Sequence, residues 1–322
     1  MSSPGRKTKV AFIDSFPDSF LGDVADAGAE VIDLREAAMS DIVRALPDTE
    51  ILVMNSKIRI TKEILVICPR LKMICRAGVG LDHIAVDECE KAGIRMVTTP
   101  GANRDSVGEH AVGILLSLLH RIQHSALQVK LGTWERESNR GRELGSLSVG
   151  IIGYGNTGSA FASKLSGFGC RIMAFDKFIS GFGGNGAEEV SMQKLFDFSD
   201  VISLHIPLTE ETIGMVNAEW IRKFRKPIVF LNLSRGAIVH AGSLIDALNS
   251  GKIQAAGLDV LENENLQSLT EKQTMEFDIL TRMENVVITP HIAGWSVESL
   301  RNINEMMLGE IRGFLACGPA NQ

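Results

Sequence analysis

The stretch IIGYGNTGSAFA, residues 151–162, decides the fold. An apolar run leads straight into Gly153, Gly155 and Gly158 and then into a helical pattern, the setting in which a GxGxxG triplet has physical meaning. Gly153 makes the tight turn, Gly155 lets the backbone approach a pyrophosphate, and Gly158 lets helix and strand pack closely. The free N–H groups at Asn156 and Thr157, at the positive end of the helix dipole, suit the phosphates. Asp176 closes the next apolar run, CRIMAFD, at about the 20-residue separation expected of a carboxylate that accepts from an adenosine ribose. Such a carboxylate repels a 2′-phosphate, so NAD is expected over NADP, with Lys177 beside it pulling the other way. The competing reading, a glycine-rich turn in an unrelated α/β fold, is disfavoured because strand, turn, helix and acid occur together.

Outward from this motif, apolar runs alternate with helical segments. From Leu147 onward SVGIIG, CRIMAFD, VISLHI, IVFLNL, QAAGLDV and NVVIT read as six strands of a dinucleotide-binding domain. Before it, VAFID, EVIDL, ILVM, LKMIC and IRMVT read as strands of another α/β unit of about 100 residues. Runs such as ILVM are apolar at consecutive positions, as in parallel strands covered on both faces. Pro100 and Gly101 punctuate a boundary, and from Ser106 to about Lys130 the apolar spacing predicts one long helix. A last helical stretch runs from Val297 to about Ala316. The fold class is α/β: two Rossmann-like, doubly wound parallel-sheet domains.

Composition removes several functions. The 322 residues carry 33 Lys+Arg against 39 Asp+Glu, and a net charge of -6 does not suit binding of nucleic acid as the main activity. Apolar stretches fall far short of the roughly 18 residues of a membrane span, and the polar opening MSSPGRKTK carries no secretion signal. Five scattered cysteines without CxxC pairing fit reduced thiols in a cytoplasmic protein. No metal site is expected: His120 and His124 are four apart, but Arg121 stands where HExxH has its acid and no third ligand is evident. No GxSxG elbow is present.

Polar residues stand just beyond three later strands, where open α/β sheets bind their ligands. They are Arg235 in LNLSRGAIV, Asp259 and Glu264 in AAGLDVLENEN, and His291 in VVITPHIAGWS. Arg235 suits a bidentate pair with a substrate carboxylate, His291 suits transfer of an alcohol proton, and Glu264 suits stabilisation of the imidazolium. Together these are the groups needed to interconvert a 2-hydroxy acid and a 2-oxo acid. His205 is the main competitor as proton carrier; His83 and His110 read as packing or interface residues.

With these motifs the chain closely resembles the D-isomer-specific 2-hydroxyacid dehydrogenases, particularly the short phosphoglycerate-dehydrogenase-like branch. The likeness runs through RAGVGLDHI, GANRDSVGEH, GYGNTG, LHIPLTEET, LSRGAIV, GLDVLENE and TPHIAGWS. It implies a catalytic domain formed by both chain ends, residues 1–101 plus 290–322, with the NAD-binding domain, 102–289, inserted between them. It implies Arg235, Glu264 and His291 as the catalytic set. It places Asn156 and Thr157 at the pyrophosphate, Asp176 at the ribose, Ile206 and Pro207 on the adenine side, and Leu233, Ser234, Asp259, Ala293 and Gly294 with the rest of the cofactor. Asn55, Arg76, Ala77, Gly78, Val79 and Ser106 fall on the substrate side. A homodimer through the long helix is implied as well.

The likeness leaves the substrate open among 3-phosphoglycerate, glyoxylate or hydroxypyruvate, and D-lactate. Related phosphoglycerate enzymes carry a basic residue where this chain has Asn55, followed by Ser56 and Lys57. Lys57 or Arg59 is the nearest replacement, though an ammonium does not reproduce a planar guanidinium fork. His240 stands where the family has an acid, which reads as a change at the start of a helix. No regulatory domain of the long phosphoglycerate dehydrogenases is expected. The alternative class is an NAD-sensing, corepressor-like binding protein on the same scaffold, which the complete Arg, Glu and His set disfavours.

Overall fold

A computed structural model describes residues 6–184 and 186–317. Two compact units divide these residues, with one seam after Asn103 and the other after Ser296.

The unit formed by the two chain ends is built on a five-stranded sheet: β1 (Lys9–Phe12), β2 (Glu30–Asp33), β3 (Ile51–Met54), β4 (Met73–Arg76) and β5 (Arg95–Val97). Its order is β2-β1-β3-β4-β5, and every pairing is parallel. The ILVM run of β3 is buried at all four positions because helices cover both faces of the sheet. On one face the last helix, Val297–Cys317, packs Ile303, Met307, Ile311 and Phe314 against Phe12, Phe20 and Val24. The C-terminal segment therefore completes the core begun by the N-terminal one.

The other unit, Arg104–Ser296, holds a seven-stranded sheet. Its strands are β6 (Ser148–Ile152), β7 (Arg171–Phe175), β8 (Glu188–Glu189), β9 (Val201–Leu204), β10 (Ile228–Asn232), β11 (Ile253–Leu258) and β12 (Val286–Ile288). The order is β12-β11-β10-β9-β6-β7-β8, again parallel throughout. The sequence shows six of these strands. β8 has only two residues, too short for any periodicity to reveal.

The single helix expected from 106 to 130 is two, Arg104–Leu119 and Ile122–Lys130, broken where Arg121 takes a left-handed φ of 51°. The first buries Val107, Ala111, Ile114, Leu115 and Leu118 in the core. It lies so close to the helix Asn156–Leu165 that a Cβ on Gly108 would meet the Ala160 backbone at 3.0 Å. The second buries none of its residues, so nothing in the core requires it to continue the same axis. Residues 290–296 pack with this second unit, so the seam lies later than the boundary at 290 read from the sequence. The reason is local: the buried Asp259 carboxylate accepts the N–H groups of Ile292 and Ala293.

Candidate active site

In the second sheet the order reverses between β6 and β9, and ligands of open α/β sheets bind at such a switch point, beyond the carboxyl ends of the strands. The glycine motif lies there. Gly153 has a φ of 92°, and a Cβ on it would sit 2.2 Å from the His205 carbonyl oxygen, where the chain leaves β9. A Cβ on Gly158 would sit 2.0 Å from the Gly153 carbonyl oxygen. These two glycines serve close packing within the protein. Gly155 is different: a Cβ on it meets nothing within 4 Å. It also begins the helix Asn156–Leu165 without a side-chain cap. An open cradle of backbone N–H groups at a helix start fits a pyrophosphate.

Asp176 lies just beyond β7. Its carboxylate accepts from the N–H of Tyr154 at 2.7 Å, Phe178 at 2.8 Å and Ile179 at 2.9 Å. Burial works to raise its pKa, but these three donors outweigh it and hold the group below the usual carboxylate range. Asp176 thus fixes the glycine turn through Tyr154 as well as presenting charge beside it. Beyond β9, Ile206 is half-buried and Pro207 exposed, and the Ile206 N–H donates to Ser234 Oγ at 3.2 Å.

The other three strand ends are neighbours. Asn232 of β10 pairs with Leu258 of β11, which pairs with Ile288 of β12, so residues just beyond them emerge along one sheet edge. After β10, buried Leu233 and Ser234 lead to Arg235. Asn232 anchors this tip through bonds to the Ser234 N–H and the Arg235 carbonyl, while Ser234 Oγ donates to the Leu204 carbonyl. The Arg235 guanidinium donates to the Ser234 carbonyl at 2.8 Å. A Cβ on Gly236 would sit 1.9 Å from the Leu261 backbone, which ties this tip to the loop carrying Glu264.

After β12 the chain turns at His291, whose φ of 55° is uncommon for a side chain with a Cβ. Its Nδ1 lies 2.9 Å from Glu264 Oε2. A carboxylate only accepts, so Nδ1 carries the hydrogen and Nε2 remains the working atom. Three groups hold this turn on Asp259: Thr289 Oγ1 at 2.6 Å, the Ile292 N–H at 2.9 Å and the Ala293 N–H at 2.8 Å. Ser106 donates its hydroxyl to the Ala293 carbonyl at 2.7 Å, and His110 Nε2 meets Thr289 Oγ1 at 3.1 Å. With Thr289 donating to Asp259, His110 is the donor in that contact. Read from the sequence as packing or interface, His110 belongs to the support of the His291 turn, and only the fold reveals it. Gly294 follows in the same turn, and Trp295 beyond it is exposed.

His205 is placed differently. Its ring stacks on Phe161, its Nε2 meets Ser203 Oγ at 2.8 Å, and burial pushes its pKa down to about 3. His240 caps the helix Ala241–Asn249 by accepting the Ser243 N–H. His124 lies 3.5 Å from Glu284, and among the described residues no group of three or more His, Cys, Asp or Glu side chains is arranged to hold a metal ion.

The remaining candidates lie in the first unit, at the ends of β3 and β4. Arg76 ends β4 and donates to the Ala77 carbonyl at 3.0 Å. Gly78 has a φ of 128°, and a Cβ there would collide with the Arg76 guanidinium at 1.7 Å. The Gly78 N–H donates to Thr99 Oγ1, and Val79 is exposed. Beyond β3, the N–H groups of Asn55, Ser56 and Lys57 all donate to the Asp14 carboxylate. The Lys57 ammonium donates to the carbonyls of Leu34, Arg35 and Ala37, closest at 2.6 Å to Arg35. Asp14 and this carbonyl cage escape sequence reading because their partners come from distant strand ends.

The chain is similar to several known proteins. A family profile described as D-isomer specific 2-hydroxyacid dehydrogenase, NAD binding domain, matches residues 112–293. The chain is 35% identical over 271 residues to a hydroxypyruvate reductase of Thermotoga maritima, covering 84% of this chain and 86% of the relative. It is 33% identical over 290 residues to a D-3-phosphoglycerate dehydrogenase of Archaeoglobus fulgidus, covering 88% of this chain but only 53% of that protein. Among solved structures, D-lactate dehydrogenase from Aquifex aeolicus complexed with NAD and lactic acid matches with a TM-score of 0.85 and 30% identity, covering 96% of each chain.

Proposed function

Because the chain belongs to the D-isomer specific 2-hydroxyacid dehydrogenase family and is an NAD-dependent oxidoreductase, we propose that its substrate is a small, unphosphorylated 2-oxo acid or the corresponding D-2-hydroxy acid. The observation that carries the catalytic part is the 2.9 Å pair of His291 Nδ1 and Glu264 Oε2 at the edge where Arg235 also emerges. When bound, the nicotinamide supplies or accepts the hydride. Arg235 holds the substrate carboxylate and polarises the adjacent carbonyl. His291 gives a proton from Nε2 to the carbonyl oxygen in reduction and takes it back in oxidation. Glu264 keeps the ring oriented and offsets its positive charge. Gly155, Asn156 and Thr157 receive the pyrophosphate in the turn that Gly153 and Gly158 hold tight, Asp176 the ribose, and Ile206 and Pro207 the adenine. Leu233, Ser234, Asp259, Ala293 and Gly294 line the nicotinamide end. Asn55, Arg76, Ala77, Gly78, Val79 and Ser106 serve the substrate side.

The unphosphorylated choice rests on the loop after β3. Asp14 occupies its N–H cluster and three carbonyls hold Lys57, so neither is ready for a phosphate. This departs from the phosphoglycerate possibility raised by the sequence resemblance. The test follows NADH oxidation with pyruvate, glyoxylate, hydroxypyruvate and 3-phosphohydroxypyruvate. Fastest turnover of an unphosphorylated acid is expected. Preference for the phosphorylated one would overturn the substrate class, and tight NADH binding without any turnover would favour a nucleotide-sensing scaffold.

We further propose a cytoplasmic homodimer. Ile122, Leu127, Val129, Leu131 and Trp134 are all exposed within one short segment, an apolar surface that a second copy would cover. All five cysteines are free, which suits a reducing compartment, and no helix among the described residues is long and apolar enough to cross a membrane.

A further inference from the structure

We propose that Glu211 sets the preference for NAD over NADP by holding Lys177 away from the place a 2′-phosphate would occupy. This rests on the cofactor site proposed above and adds to it a positioning residue that acts through another side chain. Strand β6, which carries the glycine turn, lies between β7 and β9. Lys177 follows β7, Glu211 lies in the loop after β9, and the Lys177 ammonium donates to the Glu211 carboxylate. The pair therefore joins the two loops flanking the glycine turn, and Lys177 directly follows Asp176 in the chain.

Both ends of the pair are anchored. The backbone beside Lys177 is tied to Asp176 through the Phe178 and Ile179 N–H groups. The Glu211 turn is stapled by Thr212, whose hydroxyl accepts from the Thr209 N–H at 2.7 Å and donates to the Pro207 carbonyl at 2.8 Å. Residues 176–187 and 205–214 contain one Lys and no Arg, against Asp176, Glu210 and Glu211. Lys177 is thus the cation in these loops that a 2′-phosphate beside Asp176 would recruit. The side chains of Lys177 and Glu211 are 55% and 69% exposed, so the pair contributes little to stability and its removal leaves the fold intact. Its effect is on charge: Glu211 occupies the ammonium and adds a carboxylate to the loops that flank the glycine turn.

The test compares the wild-type protein with Glu211→Gln and with Glu211→Gln combined with Lys177→Ala. NADH and NADPH are titrated by fluorescence, and 2′,5′-ADP by calorimetry. Glu211→Gln is expected to tighten NADPH and 2′,5′-ADP about three- to fivefold, the upper end of the scale for one partly screened surface charge. NADH affinity should change less than about twofold, and the gain should fade at high salt. Adding Lys177→Ala should return both phosphorylated ligands to wild-type affinity. An unchanged NADPH affinity in Glu211→Gln, or a gain that survives Lys177→Ala, would overturn the proposal. Failure of the wild-type protein to bind NADH is a separate result, which removes the cofactor site itself.

Discussion

His291 meets Glu264 at 2.9 Å while its own backbone is held in the left-handed region at φ 55°. The strain persists because Asp259, through Thr289, Ile292 and Ala293, fixes the chain on both sides of the residue. His291→Ala is expected to lower kcat by about 10² to 10⁴, the usual contribution of a positioned acid or base, with little change in NADH affinity. His291→Gly should be equally inactive yet more stable than His291→Ala by about 1 kcal/mol, since glycine tolerates a positive φ. Steady-state kinetics, NADH titration and urea unfolding of the two variants check this; retained turnover would move the proton to another group.

The three glycines of the turn should separate by function. Alanine at Gly158 places a Cβ 2.0 Å from a carbonyl oxygen and is expected to cost about 3 kcal/mol or more. Alanine at Gly155 meets nothing within 4 Å, so the protein should unfold at its normal urea midpoint while NADH binding weakens at least tenfold. Normal cofactor affinity in Gly155→Ala would show that the pyrophosphate does not approach there.

His205 is expected to leave a mark on acid stability rather than on catalysis. Its folded pKa, pushed down to about 3 by burial, lies below the 6.5 of an ordinary histidine. The unfolded chain therefore binds a proton in this window that the folded protein does not, and stability falls as pH drops from 6.5 toward 3. His205→Gln should flatten the pH dependence of urea unfolding by up to one proton over that range and leave the pH profile of kcat unshifted. A shifted kcat profile would make His205 part of the proton path.

Asp259 is expected to couple stability to turnover. Asp259→Ala deserts the buried Ala293 N–H, the part-buried Ile292 N–H and the Thr289 hydroxyl, a loss of about 3 kcal/mol at roughly 1 kcal/mol for each. Because the same contacts position the His291 turn, kcat should fall together with the urea midpoint. His110→Ala, which removes one contact to Thr289 and a longer 3.6 Å approach to Asp259 but deserts none of the three donors, should give a smaller effect on both.

Much of the molecule is legible in its order of residues. Local patterns carry it: apolar runs such as ILVM identify parallel strands covered on both faces, and the glycine triplet after β6 followed by Asp176 after β7 identifies a dinucleotide turn. Arg235, Glu264 and His291 are recognisable because each stands just past a strand. Features without a local signature are invisible in the chain. The two-residue β8 is one, and the break at Arg121, where one helix leaves the core and the next has no buried face to extend, is another.

The sequence by itself determined the fold class and the chemical types available for the reaction, because periodicity and turn geometry depend on near neighbours. Only the tertiary structure decided how those side chains are used. It paired His291 with Glu264, assigned Gly155 to open space and Gly158 to packing, closed Lys57 in a ring of carbonyls, and set Glu211 on Lys177. Each of these outcomes depends on groups brought together by parallel strands ending at the same edge, and hydrogen bonding and charge act over distances in space, not along the chain.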